Sequence, residues 1–235
     1  QHGERVEDEE TLPSKIDQLT HTYRSIKLPL RQRDGAVYAL CGISTDITQH
    51  KQAEEAIHQL AFYDPLTGLP NRRMLIDRLR HALASSARSA HCGALLFIDL
   101  DHFKNVNDQY GHEAGDRVII AVAKALADGV RNIDMASRFG GEEFVALLRT
   151  RDAASSLVAF ERIRRAVELH HFPQVGQVTV SLGFVSTTRG SPVEILGQAD
   201  QALYYAKEHG RNQVCFYDDL VASGQLATKV ANDDV

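Results

Sequence analysis

Four acidic side chains stand where hydrophobic burial does not call for them. Asp99 and Asp101 follow directly on the apolar run Leu95, Leu96, Phe97 and Ile98, within "FIDLDHFKNVNDQYG". Glu142 and Glu143 follow Gly140 and Gly141 in "RFGGEEF", just before the strand-like "VALLR". Carboxylates gathered at adjacent strand ends repel one another unless a cation sits between them. A set made of oxygen alone, with no His or Cys, favours Mg²⁺ or Mn²⁺ over zinc. Glycines at a hairpin tip ordinarily only permit positive φ; beside a metal they also leave bare backbone against which a bulky anion can lie. Cations are at hand in Lys104, five residues beyond Asp99, and in Lys207 and Arg211 of "YAKEHGRN". The last two are four apart and share neighbouring turns if both are helical. Metal, cations and bare backbone together describe phosphoryl transfer, in which catalysis is mostly positioning and charge stabilisation. The plainer alternatives are a strand end emerging into water and a solvated helix end favoured by the macrodipole.

The elements that must position these groups are legible from periodicity. "CGALLFIDL" is a short continuous apolar run, the mark of a strand buried on both faces. "IDMASRF" and "EFVALLR" read as the hairpin around the glycines. Helices are expected in "NRRMLIDRLRHALASSA", opened by Asn71, in "AGDRVIIAVAKALADGV" and "AASSLVAFERIRRAVEL", and in "SPVEILGQADQALYYAKEHG", stopped by Gly210. "QVTVSLGFVST" and "NQVCFY" read as strands. The order α-β-α-α-β-β-α-β-α-β from Asp64 onward predicts one α/β unit with a central mixed sheet flanked by helices. Ahead of it, "TYRSIKLPL" and "VYALCGISTDIT" read as two strands joined through Asp34-Gly35, and "QHKQAEEAIHQLAFY" as a helix ending near Asp64-Pro65. That helix is a spacer or the seam of a parallel coiled coil. Two strands bury too little to stand alone, and residues 1–13, acidic and poor in large apolar groups, are expected to form a loose or partly ordered lead.

Composition narrows the classes. The chain has 235 residues, 43% of them hydrophobic and 24% charged, as in ordinary soluble domains. A net charge of −5 gives no bulk electrostatic case for nucleic acid or an anionic membrane. Three scattered cysteines, Cys41, Cys92 and Cys215, fit reduced thiols in a cytosolic compartment rather than a disulfide framework. No apolar run approaches the ~20 residues that span a bilayer. The first residue is Gln1 rather than Met, which points to a fragment whose parent could be membrane-attached elsewhere.

Five ordered blocks, "DPLTGLPNRR" (64–73), "FIDLDHFKNVNDQYGHEAGD" (97–116), "SRFGGEEF" (137–144), "VTVSLGF" (178–184) and "ADQALYYAKEHGRN" (199–212), resemble the GGDEF domain of diguanylate cyclases over roughly residues 62–217. The strand pair leading into "HKQAEEAI" is similar to the end of a PAS sensor domain and its signalling helix. The domains expected on this basis are 1–50 as the C-terminal part of a PAS-like sensor, 51–63 as the helix linker, 64–218 as the GGDEF domain and 219–235 as a tail.

The resemblance implies a palm-like fold and the condensation of two GTP molecules into cyclic di-GMP, with each chain of a homodimer holding one GTP. It implies that Asp99 and Glu142, with the backbone carbonyl of Leu100, hold Mg²⁺ (or Mn²⁺). Glu142 would also assist deprotonation of the attacking 3′-hydroxyl, with Glu143 supporting or sharing the metal. Asn107 and Asp116 match the guanine-reading residues, and their amide and carboxylate suit the base's edge. His112 lies between them as a pocket or structural histidine. Lys104, Lys207 and Arg211 would meet the triphosphate, and Gly140 and Gly141 would line it. "RNID", Arg131 to Asp134, stands five residues before Gly140, as does the family's RxxD site for inhibition by its own product. Arg162 in "FERIR" is a second arginine suited to that ligand's phosphates; the bland alternative for Arg131 and Asp134 is a helix-end ion pair. Against an active cyclase stand a silent nucleotide-binding sensor and a cyclase making a cyclic mononucleotide. The first usually loses a metal ligand or the glycine pair, and neither is lost here.

Overall fold

A computed structural model describes residues 4–13, 19–86, 92–150, 152–187 and 190–226. The ends of the expected lead (1–3) and tail (227–235), and Ala87 at the expected close of one helix, lie outside the described residues. The chain folds as two compact units, Gln1–Ala61 and Phe62–Val235.

In the first unit β1 (Val6–Pro13), β2 (Thr20–Arg31) and β3 (Val37–Asp46) form an antiparallel sheet in the order β1-β2-β3. β1 gives residues 6–13 more order than the loose or partly ordered lead expected of them. Its acids are spent on cross-strand charge pairing, with Glu9 bonded to Arg24 at 3.1 Å and to Lys51 at 2.8 Å. Such a strand shows none of the hydrophobic alternation by which strands are recognised, because charge pairs and the ladder hold it instead. α1 (Thr48–Phe62) follows and buries none of its residues. Its start is fixed by Asp46, which accepts from the Thr48 backbone N–H and hydroxyl; these bonds and one with His21 lower its pKa to about 2.

The second unit runs α2 (Arg72–Ser86), β4 (Cys92–Leu100), α3 (Phe103–Tyr110), α4 (His112–Gly129), β5 (Met135–Gly140), β6 (Glu143–Thr150), α5 (Ala153–Glu168), β7 (Val180–Ser186), α6 (Pro192–Glu208), β8 (Val214–Phe216) and α7 (Tyr217–Ala222). Its mixed five-stranded sheet has the order β5-β6-β4-β7-β8. β4 is central and antiparallel to both neighbours, while β7 and β8 are parallel. Both faces of β4 are covered, which is why it reads as an unbroken apolar run. Leu96 and Ile98 join one core with Val118, Val122, Phe160 and Ile163 of α4 and α5. Leu95 and Phe97 join the other with Leu75 and Leu79 of α2 and Ala199 and Leu203 of α6.

α6 lies directly on β7. A Cβ at Gly183 would collide with the backbone of Ala199 and Leu203, so only glycine allows that approach. The unit also continues past residue 218, where a tail was expected. α7 packs against α6 and β7 and buries Tyr217 and Leu220; six residues are too few to show a helical period.

Candidate active site

Strand alternation decides which groups meet. Asp99 has the parity of Leu95 and Phe97, so it faces the α6 side of the sheet, and Glu143 of β6 is its direct cross-strand partner. Lys207, in the last turn of α6, reaches Asp99 with Nζ 2.8 Å from Oδ2. β6 begins at Glu143, so Leu100 has a strand partner on the β7 side only. The hairpin corner falls at Gly141 and Glu142, one residue later than the glycine pair itself. Gly141 takes φ +51°, as the first central residue of a two-residue hairpin requires of glycine. Glu142 therefore sits on the turn, and Glu143, not Glu142, is the residue opposite Asp99.

The electrostatics follow from this crowding. Burial raises the Asp99 pKa; Lys207 opposes the shift, while Glu142 and Asp101 add to it. Burial likewise raises Glu143, and the Asp99 charge raises it further. Asp99, Glu142 and Glu143 crowd their negative charge near Lys207, which pairs with Asp99, an excess that a divalent cation would relieve. Among the described residues no three His, Cys, Asp or Glu side chains are gathered closely enough to hold a metal between them. The donor set that fits Mg²⁺ is therefore smaller: Asp99, Glu142 and a backbone carbonyl such as that of Leu100, with water completing the shell, as this ion prefers.

Asp101 contrasts with its neighbour. It is as buried as Asp99 but accepts from the Thr179 hydroxyl (2.7 Å), the Ser181 hydroxyl (2.6 Å) and the Asn212 backbone N–H (3.1 Å). Its oxygens are committed to holding the fold.

Asn107 of α3 lies against the start of α4, one residue from Asp116. The Asn107 side chain lies against Gly115, where any Cβ would overlap its Oδ1, and Asp116 is the next residue. Lys104 stands exposed in the first turn of α3 and His112 exposed at the start of α4. Arg211 lies past the helix, as the stop at Gly210 predicts. α6 ends at Glu208, and Arg211 takes a left-handed backbone with φ +60°, exposed beyond the helix. Helical spacing from Lys207 therefore does not describe it.

The sequence did not single out Arg138. Its Nη1 donates to both carboxylate oxygens of Asp64 at 3.1 Å, and its Nε and Nη2 donate to the Gly141 carbonyl at 3.0 and 2.8 Å. Burial raises the Asp64 pKa, but its bonds to Thr67 and Arg138 more than reverse this and leave it lowered. Asp64 and Arg138 both lie inside the quoted blocks, the one signal that could have flagged them.

At the opposite end of the hairpin Arg131, Asp134, Arg149 and Arg162 line an open groove of about 1360 Å³. The Asp134 carboxylate accepts from the backbone N–H of Arg131 (3.1 Å) and of Arg149 (2.9 Å), so it fastens the turn to β6. The Arg162 guanidinium donates to the Gly129 carbonyl at 2.8 Å. Among the described residues the ion pairs include none between the Arg131 and Asp134 side chains. No helix among the described residues is long and apolar enough to cross a membrane.

Comparison with known proteins agrees with this geometry. The family described as "Diguanylate cyclase, GGDEF domain" matches residues 61–213. A diguanylate cyclase of Vibrio cholerae is 37% identical over 216 residues, covering 90% of this chain and 67% of that protein. The response regulator PleD of Caulobacter vibrioides is 40% identical over 164 residues, covering 66% of this chain but only 36% of PleD. Several other relatives are likewise matched over less than half their length. Among solved structures, the coiled coil and GGDEF domain of DgcB from Caulobacter crescentus in complex with c-di-GMP superposes with a TM-score of 0.68 at 30% identity, covering 72% of this chain and 93% of that one. The active GGEEF domain of a Vibrio cholerae diguanylate cyclase gives a TM-score of 0.60 at 34% identity, covering 63% and 97%.

Proposed function

This chain belongs to the GGDEF family of diguanylate cyclases, and from that membership we propose that its second unit condenses two GTP molecules into cyclic di-GMP and two pyrophosphates. The observation that carries the reading is the meeting of Asp99, Glu143 and Lys207 beside the Gly141–Glu142 corner. The 3′-oxygen of one nucleotide attacks the α-phosphorus of the other. A new P–O bond forms as the bond to the bridging oxygen breaks, and pyrophosphate leaves with the electron pair. A second such step closes the ring.

Bound Mg²⁺ would supply charge stabilisation at the phosphates. Asp99, Glu142 and the Leu100 carbonyl are the groups that would hold it, with Glu143 positioned to share it. Glu142, on the turn, takes the 3′-hydroxyl proton. Asn107 and Asp116 read guanine, whose N1–H and N2–H suit a carboxylate acceptor. Lys104, Lys207 and Arg211 neutralise the triphosphate, and Gly140 and Gly141 leave room for it. His112 flanks the nucleoside.

Each chain supplies one half-site, so the working species is a homodimer whose two nucleotides face one another. GTP consumption of this kind belongs in the cytoplasm. The β1–β3 sheet and α1 are read as the end of a sensor and its signalling helix. The groove at Arg131 and Arg162 is read as the product's inhibitory site, with the Arg side chains meeting phosphate and Asp134 holding the turn that presents Arg131.

Glu142→Gln, which removes a charge at constant volume, is the test of the catalytic reading. Incubated with GTP and Mg²⁺, it should form cyclic di-GMP at least roughly 10²-fold more slowly than the native chain, by chromatography. Turnover near the native rate would refute the metal and base assignment. For the groove, Arg131→Ala should weaken inhibition by added cyclic di-GMP on the order of ten- to a hundred-fold, with initial rates of product-free protein unchanged.

A further inference from the structure

The loop after α6 runs through three positive-φ residues in a row, and Arg211, the middle one, is of a type that disfavours it. Gly210, Arg211 and Asn212 take φ of +112°, +60° and +47° in succession. For Arg211 and Asn212 this is the left-handed region; Asn enters it more readily than other side chains, whereas Arg rarely does so without support. The support is visible on three sides of Asn212. Its backbone N–H donates to Asp101 Oδ2 at 3.1 Å. Its Nδ2 donates to Glu168 Oε1 at 2.6 Å, and its Oδ1 accepts from Arg164 Nη1 at 2.7 Å. Arg164 is itself fixed, donating to Glu161 (2.9 Å) and Glu168 (3.0 Å), and its side chain is only 11% exposed.

Every polar group on the Asn212 amide that these bonds use is matched by a partner of the right kind. Arg164 can only donate and ionised Glu168 can only accept, so the pair reads the amide in one orientation. Aspartate here would set its carboxylate against Glu168, and alanine would leave Arg164 and Glu168 with each other alone. The clamp spans three separate parts of the fold: α5, the end of β4, and the loop itself. It ends one residue from Arg211 and, through Asp101, two residues from Asp99.

We propose that Asn212, held by Arg164, Glu168 and Asp101, is a positioning residue that fixes Arg211 in the left-handed conformation from which it meets the nucleotide triphosphate. This rests on the assignment of Arg211 under the proposed function. None of the three clamping side chains needs to touch the nucleotide. Their effect is to remove the alternative backbone states of the loop, so that the guanidinium is held ready rather than recruited.

The test is a binding cycle with a GTP analogue whose α,β-bridge is methylene, measured calorimetrically with Mg²⁺ on the whole chain. Arg164→Ala should weaken the analogue roughly ten-fold. Asn212→Gly is the second variant: glycine adopts the left-handed backbone without strain, so it removes the side-chain bonds and leaves the chain free to fold. It should weaken binding to a similar extent, with little change in melting temperature. The decisive readout is the Arg211→Ala background, in which both substitutions should lose most of their effect, because they act through the missing guanidinium. Equal losses in both backgrounds, or none in either, overturn the positioning role while leaving the function intact. If Arg211→Ala alone leaves the affinity unchanged, the assignment of Arg211 fails and the inference falls with it.

Discussion

Two carboxylates two residues apart on one chain show how differently the same burial can be used. Asp99 is 7% exposed and Asp101 is 6% exposed. Asp101 accepts three hydrogen bonds from Thr179, Ser181 and Asn212, so its charge is repaid locally by donors. Asp99 has one cation, Lys207, and faces Glu142 and Glu143. A donor-saturated carboxylate is a fastener, and one left short of donors among like charges is a site that awaits a cation. Burial alone would not have told them apart.

The largest effect should come from the undersatisfied member. Asp99→Asn should lower cyclic di-GMP formation by roughly 10²–10³-fold, because it removes a charge from the metal site. Its urea midpoint should hold or rise, since the substitution also removes a buried charge crowded by others. A clear loss of stability in this variant would erase the distinction. Asp101→Asn should do the reverse in emphasis. It turns one acceptor oxygen into a donor facing donors, and should cost about 2–3 kcal/mol in urea unfolding. A midpoint equal to the native one would show that the three bonds add nothing.

The smallest effect is the pH dependence, and its sign separates the two further. Burial, reinforced by neighbouring charges, raises the folded pKa of Asp99 and Glu143 above the ordinary values of 3.8 and 4.5. A carboxylate raised on folding favours the folded state while protonated, so the metal-free unit gives up stability as pH climbs through the raised values. Mg²⁺ restores that loss by binding the charged form. The melting-temperature gain on adding Mg²⁺ should therefore be a few degrees at pH 7 and shrink as pH falls toward the raised values. Asp99→Asn should flatten the difference, while Asp101→Asn should preserve it. A gain independent of pH would place the ion elsewhere.

How much of this could be read from the residues depends on which force fixes each element. β4, the helices of the second unit and the hairpin are governed by burial, and burial leaves a period in the sequence. β1 left no such trace, because its acids answer Arg24, Lys27 and Lys51 rather than a core. β6 begins at Glu143, as "EFVALLR" reads, but either glycine could begin the turn and only the register Gly140↔Glu143 decides. Gly210 marks the end of α6, but the left-handed backbone of Arg211 was not legible, because the bonds that hold the next residue come from Asp101, Arg164 and Glu168, far along the chain. Tertiary bonds of this kind have no local signature.

Gly183 gives the site an unexpected owner. It lies mid-strand on β7, away from every charged group described above, yet it sets how closely α6 approaches the sheet. Lys207 rides on that helix. One added methyl group at Gly183 would lift α6 as a wedge lifts a lever, and the far end of the lever is the 2.8 Å contact with Asp99. In genetic terms, a mutation at this position would behave as an active-site allele while mapping to the core. Screens that score such alleles by distance from the chemistry would file it in the wrong class.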